Sequence, residues 1–188
     1  MISSRLSLPL GLALLAGHAL AVDFGTTAFV DGVSYTVGAA GSPVQRLGDS
    51  ISFSLPNAFA IAAPKTVVLE YSVSASSGQL LTNVTQLGTG QATGASSAVF
   101  TSVFTSPTTS ETTTQTNPAG SAFPPSTYAF ATPVPAFTSV RTTLSLLPNN
   151  GVAKATAYTA NYTEAVPEPL TLAALALGLA GLARRKRS

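Results

Sequence analysis

The chain lacks cysteine and tryptophan and carries little charge, and these absences narrow its possible functions. Of its 188 residues, 9% are charged, against about 25% in an ordinary soluble domain. Without cysteine there is no disulfide framework, thiolate zinc site or cysteine nucleophile. The single histidine, His18, lies within the first 21 residues. We therefore expect the part of the chain after residue 21 to lack Ser-His-Asp catalysis and histidine-ligated metals.

Small hydroxyl side chains are the main excess, since 25 threonines and 22 serines make up a quarter of the chain. Threonine and serine on outward strand positions keep an uncharged sheet soluble, which explains the excess without any ligand. The same groups could hydrogen-bond a polysaccharide, carry O-linked glycans or, as flat threonine ladders, meet an ice lattice. Aromatic platforms for carbohydrate would favour tryptophan, which is absent.

Residues 1–21 have the order of a secretory signal peptide. Arg5 precedes an apolar stretch over residues 6–15, and Ala19-Leu20-Ala21 forms an A-x-A cleavage site. We expect signal peptidase to cut after Ala21. A retained N-terminal membrane helix is the alternative, and Pro9 and the short apolar run argue against it.

The C-terminus combines a short motif, an apolar segment and a basic cluster: Val166-Pro167-Glu168-Pro169, residues 170–183, then Arg184, Arg185, Lys186 and Arg187. At ~1.5 Å per residue the apolar segment makes about 21 Å of helix, short of the ~30 Å hydrocarbon core. The four cations predict a cytoplasmic stop-transfer anchor, with everything before Val166 on the outer side. An amphipathic surface helix is disfavoured, since the segment has no polar face.

This order resembles the PEP-CTERM protein-sorting signal over residues 165–188. In that family, exported proteins of Gram-negative bacteria that make extracellular polysaccharide carry the signal, and a membrane-embedded exosortase is the processing enzyme. The same segment is also catalogued as the C-terminal domain of ice-binding proteins. The resemblance implies processing at residues 166–169, transient residence in the inner membrane and delivery to the cell surface or extracellular matrix. The sequence differs from the family pattern in one respect: its apolar segment is shorter than a stable membrane span requires.

The charge of the exported part differs from that of the whole chain, which is +2. Between residues 22 and 166 there are four basic and six acidic side chains, a net charge of −2. The positive charge therefore belongs to the two ends, and the clustered basic face of a nucleic-acid partner is missing.

Alternation of period two predicts an all-β fold, a single antiparallel β-sandwich over residues 22–164 with a jelly-roll-like alternative. A signal helix and a C-terminal transmembrane helix would flank it. Strands are expected around Ile51, Phe53 and Leu55, around residues 67–73, and over residues 97–105, where Phe100, Ser102 and Phe104 share a face.

Two hairpins are predicted. Asp31-Gly32 suits a two-residue turn that pairs Val30 with Val33 and Ala28 with Tyr35. Ala28, Val30, Val33, Tyr35 and Val37 would then form a core face. The loop at 148–151 predicts a second hairpin between residues 140–147 and 152–163.

Two stretches are expected to be looser. Residues 106–135 contain six prolines and the tract TTSETTTQT, which predicts a long loop or an extended excursion. Residues 82–97, rich in glycine, threonine and serine, predict a weak edge strand or a mobile connection.

Candidate catalytic groups are few. Asp49 and Glu70 are the only carboxylates that could converge as a glycosidase pair, which needs a separation of roughly 5–10 Å. Lys65 and Lys154 lack the S-x-x-K context of a Ser-Lys dyad. We expect a structural surface or matrix component with no enzymatic activity, cofactor or metal. A glycan- or ice-binding module is the rival, which a flat exposed Thr/Ser/Tyr face would favour.

Overall fold

The computed structural model describes residues 21–117 and 123–166, and this part of the chain is all-β. Twelve strands follow in order: β1 Thr27–Val30, β2 Val33–Thr36, β3 Val44–Leu47, β4 Ser50–Ser54, β5 Phe59–Ala60, β6 Lys65–Ser74, β7 Leu80–Ala92, β8 Ser97–Thr105, β9 Ser110–Asn117, β10 Ser126–Val134, β11 Ala136–Leu147 and β12 Ala153–Ala165. These residues contain no helix, and so none long and apolar enough to cross a membrane. The predicted signal and transmembrane helices fall outside the described residues.

The strands form two antiparallel sheets packed face to face. The first sheet has the order β2-β1-β6-β11-β8-β9. The second has the order β10-β7-β12-β4-β3, and β5 also pairs with β12. The predicted antiparallel sandwich is confirmed.

The predicted alternation appears directly in the burial of the strands. In β6, the side chains of Val67, Leu69, Tyr71 and Val73 are buried, and the residues between them face outward. In β8, Phe100, Ser102 and Phe104 all point inward and are fully buried. Side chains from the two inner faces form a single hydrophobic cluster between the sheets.

The first predicted hairpin is confirmed in its turn and its register. Val30 pairs with Val33 and Ala28 with Tyr35. Asp31 and Gly32 have φ values of 50° and 77°, as a type I′ turn requires. The predicted core face is only partly buried, because β2 is an edge strand; Val33 remains 54% exposed.

The second predicted hairpin is wrong. The loop at 148–151 does reverse the chain, but β11 lies in the first sheet and β12 in the second. The loop is instead a crossover between sheets, held where the Asn149 amide donates to Ser96 Oγ at 2.9 Å. β11 pairs with β6 and β8, whereas β12 pairs with β4, β5 and β7, so each strand finds its partners within its own sheet and not in its neighbour in sequence.

The prediction of a loose segment at 106–135 is also wrong over most of its length. Strands β9 and β10 occupy Ser110–Asn117 and Ser126–Val134. Threonine suits the outward positions of β9, while its inward side chains are polar but buried. Pro133 is tolerated because β10 is an edge strand.

The stretch 82–97 likewise contains an inner strand rather than an edge or a mobile connection. β7 runs between β10 and β12 in the second sheet. Its glycines allow close packing: a Cβ added to Gly90 would lie 2.1 Å from the Lys154 carbonyl oxygen, and one on Gly88 would lie 2.7 Å from the Phe100 ring. These glycines are required because neighbouring atoms pack closely against the β7 backbone, and they do not indicate a flexible segment.

The chain enters and leaves the sandwich at one end, which we call the basal pole. Asp23 exchanges both backbone hydrogen bonds with Ser74, at 2.9 and 2.8 Å. The last residue of β12, Ala165, pairs with Leu80 at the start of β7. Ser74 is the last residue of β6 and Leu80 is the first residue of β7, so only the short β6–β7 turn separates the two pairings. Both ends of the described domain therefore lie at the basal pole.

Candidate functional site

The C-terminal sorting segment begins immediately after a firmly held strand. β12 is paired with β7 as far as Ala165, and Val166 is 66% exposed. The Glu164 carboxylate accepts hydrogen bonds from the Ser76 amide, at 2.5 Å, and from Ser76 Oγ, at 2.9 Å. This contact fixes the strand end against the β6–β7 turn. The chain thus leaves the domain into solvent at the first residue of the predicted motif.

Most of the predicted sorting residues lie beyond the part of the chain that the structure describes. Pro167, Glu168, Pro169 and the basic cluster at 184–187 lie outside the described residues, as does Ala19 of the cleavage site. Ala21 is described and exposed. Val22, the next residue, is fully buried.

The outer surface of β9, β8 and β11 in the first sheet forms what we call the hydroxyl face. Thr112, Thr114 and Thr116 project from β9 and are exposed. Strand register places Thr101 between Thr114 and Thr143, so three threonines form one row across three strands. Neighbouring side chains on such a face are ~4.8 Å apart across strands and ~6.8 Å apart along them.

The hydroxyl face is close to electrically neutral. Its charged side chain Arg141 pairs with Glu70 of neighbouring β6, with 3.5 Å between Nε and Oε1. The two side chains are 59% and 40% exposed, so the pair contributes little to stability. The face therefore offers methyl and hydroxyl groups in register, with one compensated ion pair.

A cleft of about 280 Å³ opens between the β1–β2 hairpin and the segment that follows β4. Its lining includes Tyr35, Asp31, Asn57 and Lys65. Two of its charged groups serve the fold, because Asp31 Oδ1 accepts from the Val68 amide at 2.7 Å and Lys65 Nζ donates to the Asn57 carbonyl at 2.7 Å. The cleft is thus a gap at the sheet edge with its charges already engaged.

The candidate catalytic carboxylates are placed in different sheets with separate partners. Asp49 sits in the β3–β4 turn of the second sheet, where Oδ1 accepts from the Val22 amide at 3.1 Å. Glu70 lies on β6 of the first sheet, beside Arg141. Lys154 is exposed on β12. Within the described ranges, no group of three or more metal-ligating side chains converges.

A buried polar seam, which was not predicted from the sequence, joins the two sheets. Gln86 of β7 donates through Nε2 to Ser102 Oγ at 2.6 Å and to the Tyr158 hydroxyl at 2.8 Å. Ser102 and Thr142, from the first sheet, lie 2.9 Å apart through their hydroxyl oxygens. All four side chains are fully buried. These hydrogen bonds cross between the sheets and favour one alignment of them, although Gln86 Oε1 is buried without a hydrogen-bond partner among the described residues.

A second part of the seam is the pair Tyr71 and Tyr162, whose hydroxyl oxygens lie 2.9 Å apart. Burial, the largest cause, raises the pKa of both well above 10, and the neighbouring Tyr158 raises it further. Burial also raises the pKa of Tyr158, while its hydrogen bonds oppose the shift. These tyrosines act as neutral hydrogen-bonding groups. Their inward positions on β6 and β12 were the available sequence signal.

Glu111 closes the edge where β9 and β10 meet. Its carboxylate accepts hydrogen bonds from the Tyr128 hydroxyl at 3.0 Å and from the amides of Ala131 and Thr132 at 2.9 and 3.2 Å. The hydrogen bond to Glu111 is the largest cause that raises the pKa of Tyr128. The two amides fall in the irregular part of β10, between Ala129 and Val134, so Glu111 replaces missing ladder bonds.

Comparison with known proteins bears on the end of the chain. The family model described as "PEP-CTERM protein-sorting motif" matches residues 165–188. No curated protein is significantly similar to the chain. The motif indicates an exported protein that is sorted to the envelope and processed by an exosortase. The chain therefore carries a PEP-CTERM protein-sorting motif after an all-β sandwich, consistent with a PEP-CTERM domain-containing protein.

Proposed function

We propose that the chain is a non-enzymatic surface or extracellular-matrix component of a Gram-negative bacterium. Signal peptidase removes residues 1–21, and the tail holds the protein transiently in the inner membrane with residues 184–187 in the cytoplasm. An exosortase then processes the motif at residues 166–169 and releases the sandwich to the cell surface.

One observation carries this proposal. The sorting motif begins directly beyond a strand that stays paired to Ala165, at the same pole where the chain enters at Val22. Both ends to be processed therefore lie together, and the sheet faces and the opposite pole remain free for contacts. The exported part also has few ionisable groups, with six acidic side chains and no histidine between residues 22 and 166.

Localisation of charge variants in an exosortase-containing host tests the sorting role. Replacing the four cations at 184–187 with glutamine should let the tail slip through or release unprocessed protein, because the stop-transfer charge is lost. Arg141→Gln is the matched control, since it removes a cation from the sandwich surface. Unchanged membrane retention and processing of the tail variant, measured by fractionation and immunoblotting, would contradict the anchor role.

A second candidate function, adhesion to a neutral extracellular polysaccharide, is favoured by the hydroxyl face. The row of Thr114, Thr101 and Thr143 presents hydroxyl groups at regular spacing, and the face carries no net charge. A neutral glycan chain offers complementary hydroxyl groups and needs no ion pair.

Co-sedimentation with the neutral exopolysaccharide of the producing bacterium tests this candidate. Thr114→Lys with Thr116→Lys should lower the bound fraction at least fivefold. Leu87→Lys, on the exposed surface of β7 in the second sheet, is the control that should leave binding unchanged. Equal loss in both variants, or activity in an ice-recrystallisation assay without polysaccharide binding, would overturn it.

A further inference from the structure

The chain is part of the sandwich from Val22 onward. Val22 and Phe24 are fully buried, and Asp23 between them is bridged to Ser74 by two backbone hydrogen bonds. Ala21, immediately before them, is exposed. The predicted signal-peptidase bond thus coincides with the boundary between solvent-exposed and packed chain.

Polar groups of the β3–β4 hairpin surround the backbone of Val22. Its nitrogen lies 3.1 Å from Asp49 Oδ1, and its carbonyl oxygen accepts from Arg46 Nη2 at 2.6 Å. Arg46 also lies 3.7 Å from the Asp23 carboxylate and over the Phe24 ring, 5.8 Å from its centroid. Both polar backbone groups of Val22 are therefore held by charged side chains.

We propose that Asp49 is the binding site for the amino terminus that signal-peptide cleavage creates. Hydrolysis of the Ala21–Val22 bond adds one water: the Ala21 carbonyl becomes a carboxylate, and the Val22 nitrogen becomes an ammonium. That ammonium is generated 3.1 Å from Asp49 Oδ1. A neutral amide hydrogen bond is thereby replaced by a charge-assisted one, which is roughly twice as strong.

The site also touches the strand that leads to the sorting motif. The carbonyl oxygen of Asp49 accepts a hydrogen bond from the Tyr162 amide at 3.0 Å, and Tyr162 lies four residues before Val166. The Phe24 and Tyr162 rings are 5.9 Å apart. Processing at the N-terminus thus stabilises the basal pole from which the C-terminal signal emerges. The inference rests on cleavage after Ala21 and not on any role of the hydroxyl face.

Scarless N-termini provide the test, using chains that run to Ser188 in detergent micelles. One chain starts at Val22, a second at Ala21, and a third is the Val22 chain with an acetylated terminus. The Val22 chain should have an unfolding constant about tenfold smaller than either of the others, from urea titrations followed by circular dichroism. Acetylation removes the charge while all side chains stay unchanged, so this arm does not depend on the folding of a variant.

Asp49→Asn and Asp31→Asn separate the specific contact from general destabilisation. Both carboxylates accept a hydrogen bond from a backbone amide, at 3.1 and 2.7 Å, but Asp31 receives it from Val68, in the middle of β6. The tenfold difference between N-termini should disappear in Asp49→Asn and persist in Asp31→Asn. Equal stability of the three wild-type chains, or a difference that persists in Asp49→Asn, would overturn the proposal. Neither outcome bears on sorting, which the localisation assay measures separately.

Discussion

Raising the pH above 10 should destabilise the sandwich through its buried tyrosines. Tyr71 on β6 and Tyr162 on β12 share a hydrogen bond of 2.9 Å across the two sheets. Burial raises the pKa of both hydroxyls well above the value of 10 that an exposed tyrosine has. Ionisation of either would place an uncompensated charge between the sheets.

The sign and size of the effect follow from proton linkage. Above pH 10 the unfolded chain loses tyrosine protons that the folded chain keeps, so the free energy of unfolding falls as pH rises. Stability is fully present below the unfolded pKa and is lost toward the folded pKa. For each fully buried tyrosine, the slope rises through this window toward a limit of about 1.4 kcal/mol per pH unit. Tyr71 and Tyr162 together should lower the free energy of unfolding by about 3 kcal/mol between pH 8 and pH 11.

Urea titrations at pH 8 and pH 11 measure that loss, and absorbance at 295 nm counts the ionised tyrosines. In the folded chain at pH 11, at least two of the five tyrosines should stay protonated and should add to the absorbance at 295 nm only after urea unfolds the protein. The double variant Tyr71→Phe with Tyr162→Phe should show a weaker dependence on pH. Simultaneous ionisation of all five tyrosines in the folded chain near pH 10 would refute the reasoning.

Two substitutions test the contacts that order the polar and glycine-rich strands. Glu111→Ala should cost about 1–3 kcal/mol in urea titrations, because it leaves two β10 amides and a phenol without their acceptor; a change below about 0.5 kcal/mol would contradict the edge-closing role. Gly90→Ala should cost at least about 2 kcal/mol, because its Cβ would overlap the Lys154 carbonyl. Gln91→Ala, exposed on the same strand, is its control and should stay within about 0.5 kcal/mol.

Alternation of apolar and polar residues was sufficient to predict the strands that have one buried apolar face and one exposed polar face. The Asp31-Gly32 turn, with its positive φ values, determines both a reversal and a register. The loop at 148–151 also marks a reversal, but nothing in its residues reports whether the next strand joins the same sheet. That choice depends on which neighbours β11 and β12 find in space.

The sequence-based prediction was wrong where polar side chains occupy inward positions of strands. Low hydrophobicity over residues 106–135 predicted a loop, since burying polar groups is costly unless they are hydrogen-bonded. In the fold, the Glu111 carboxylate finds donors, and Gln115 Nε2 donates to the Gln86 carbonyl at 3.2 Å and also to the Pro124 carbonyl, while Gln115 Oε1 stays buried without a partner among the described residues. These partners lie far apart in sequence, so their satisfaction is visible only after the strands are assembled.

Intact-mass spectrometry of the envelope-associated protein, isolated from an exosortase-containing host, tests the sorting account most directly. Processing at both ends predicts a chain that begins at Val22 and has lost the apolar segment 170–183 together with its basic cluster. A mature form that still begins at Met1, or that retains the C-terminal segment through Ser188, would contradict it.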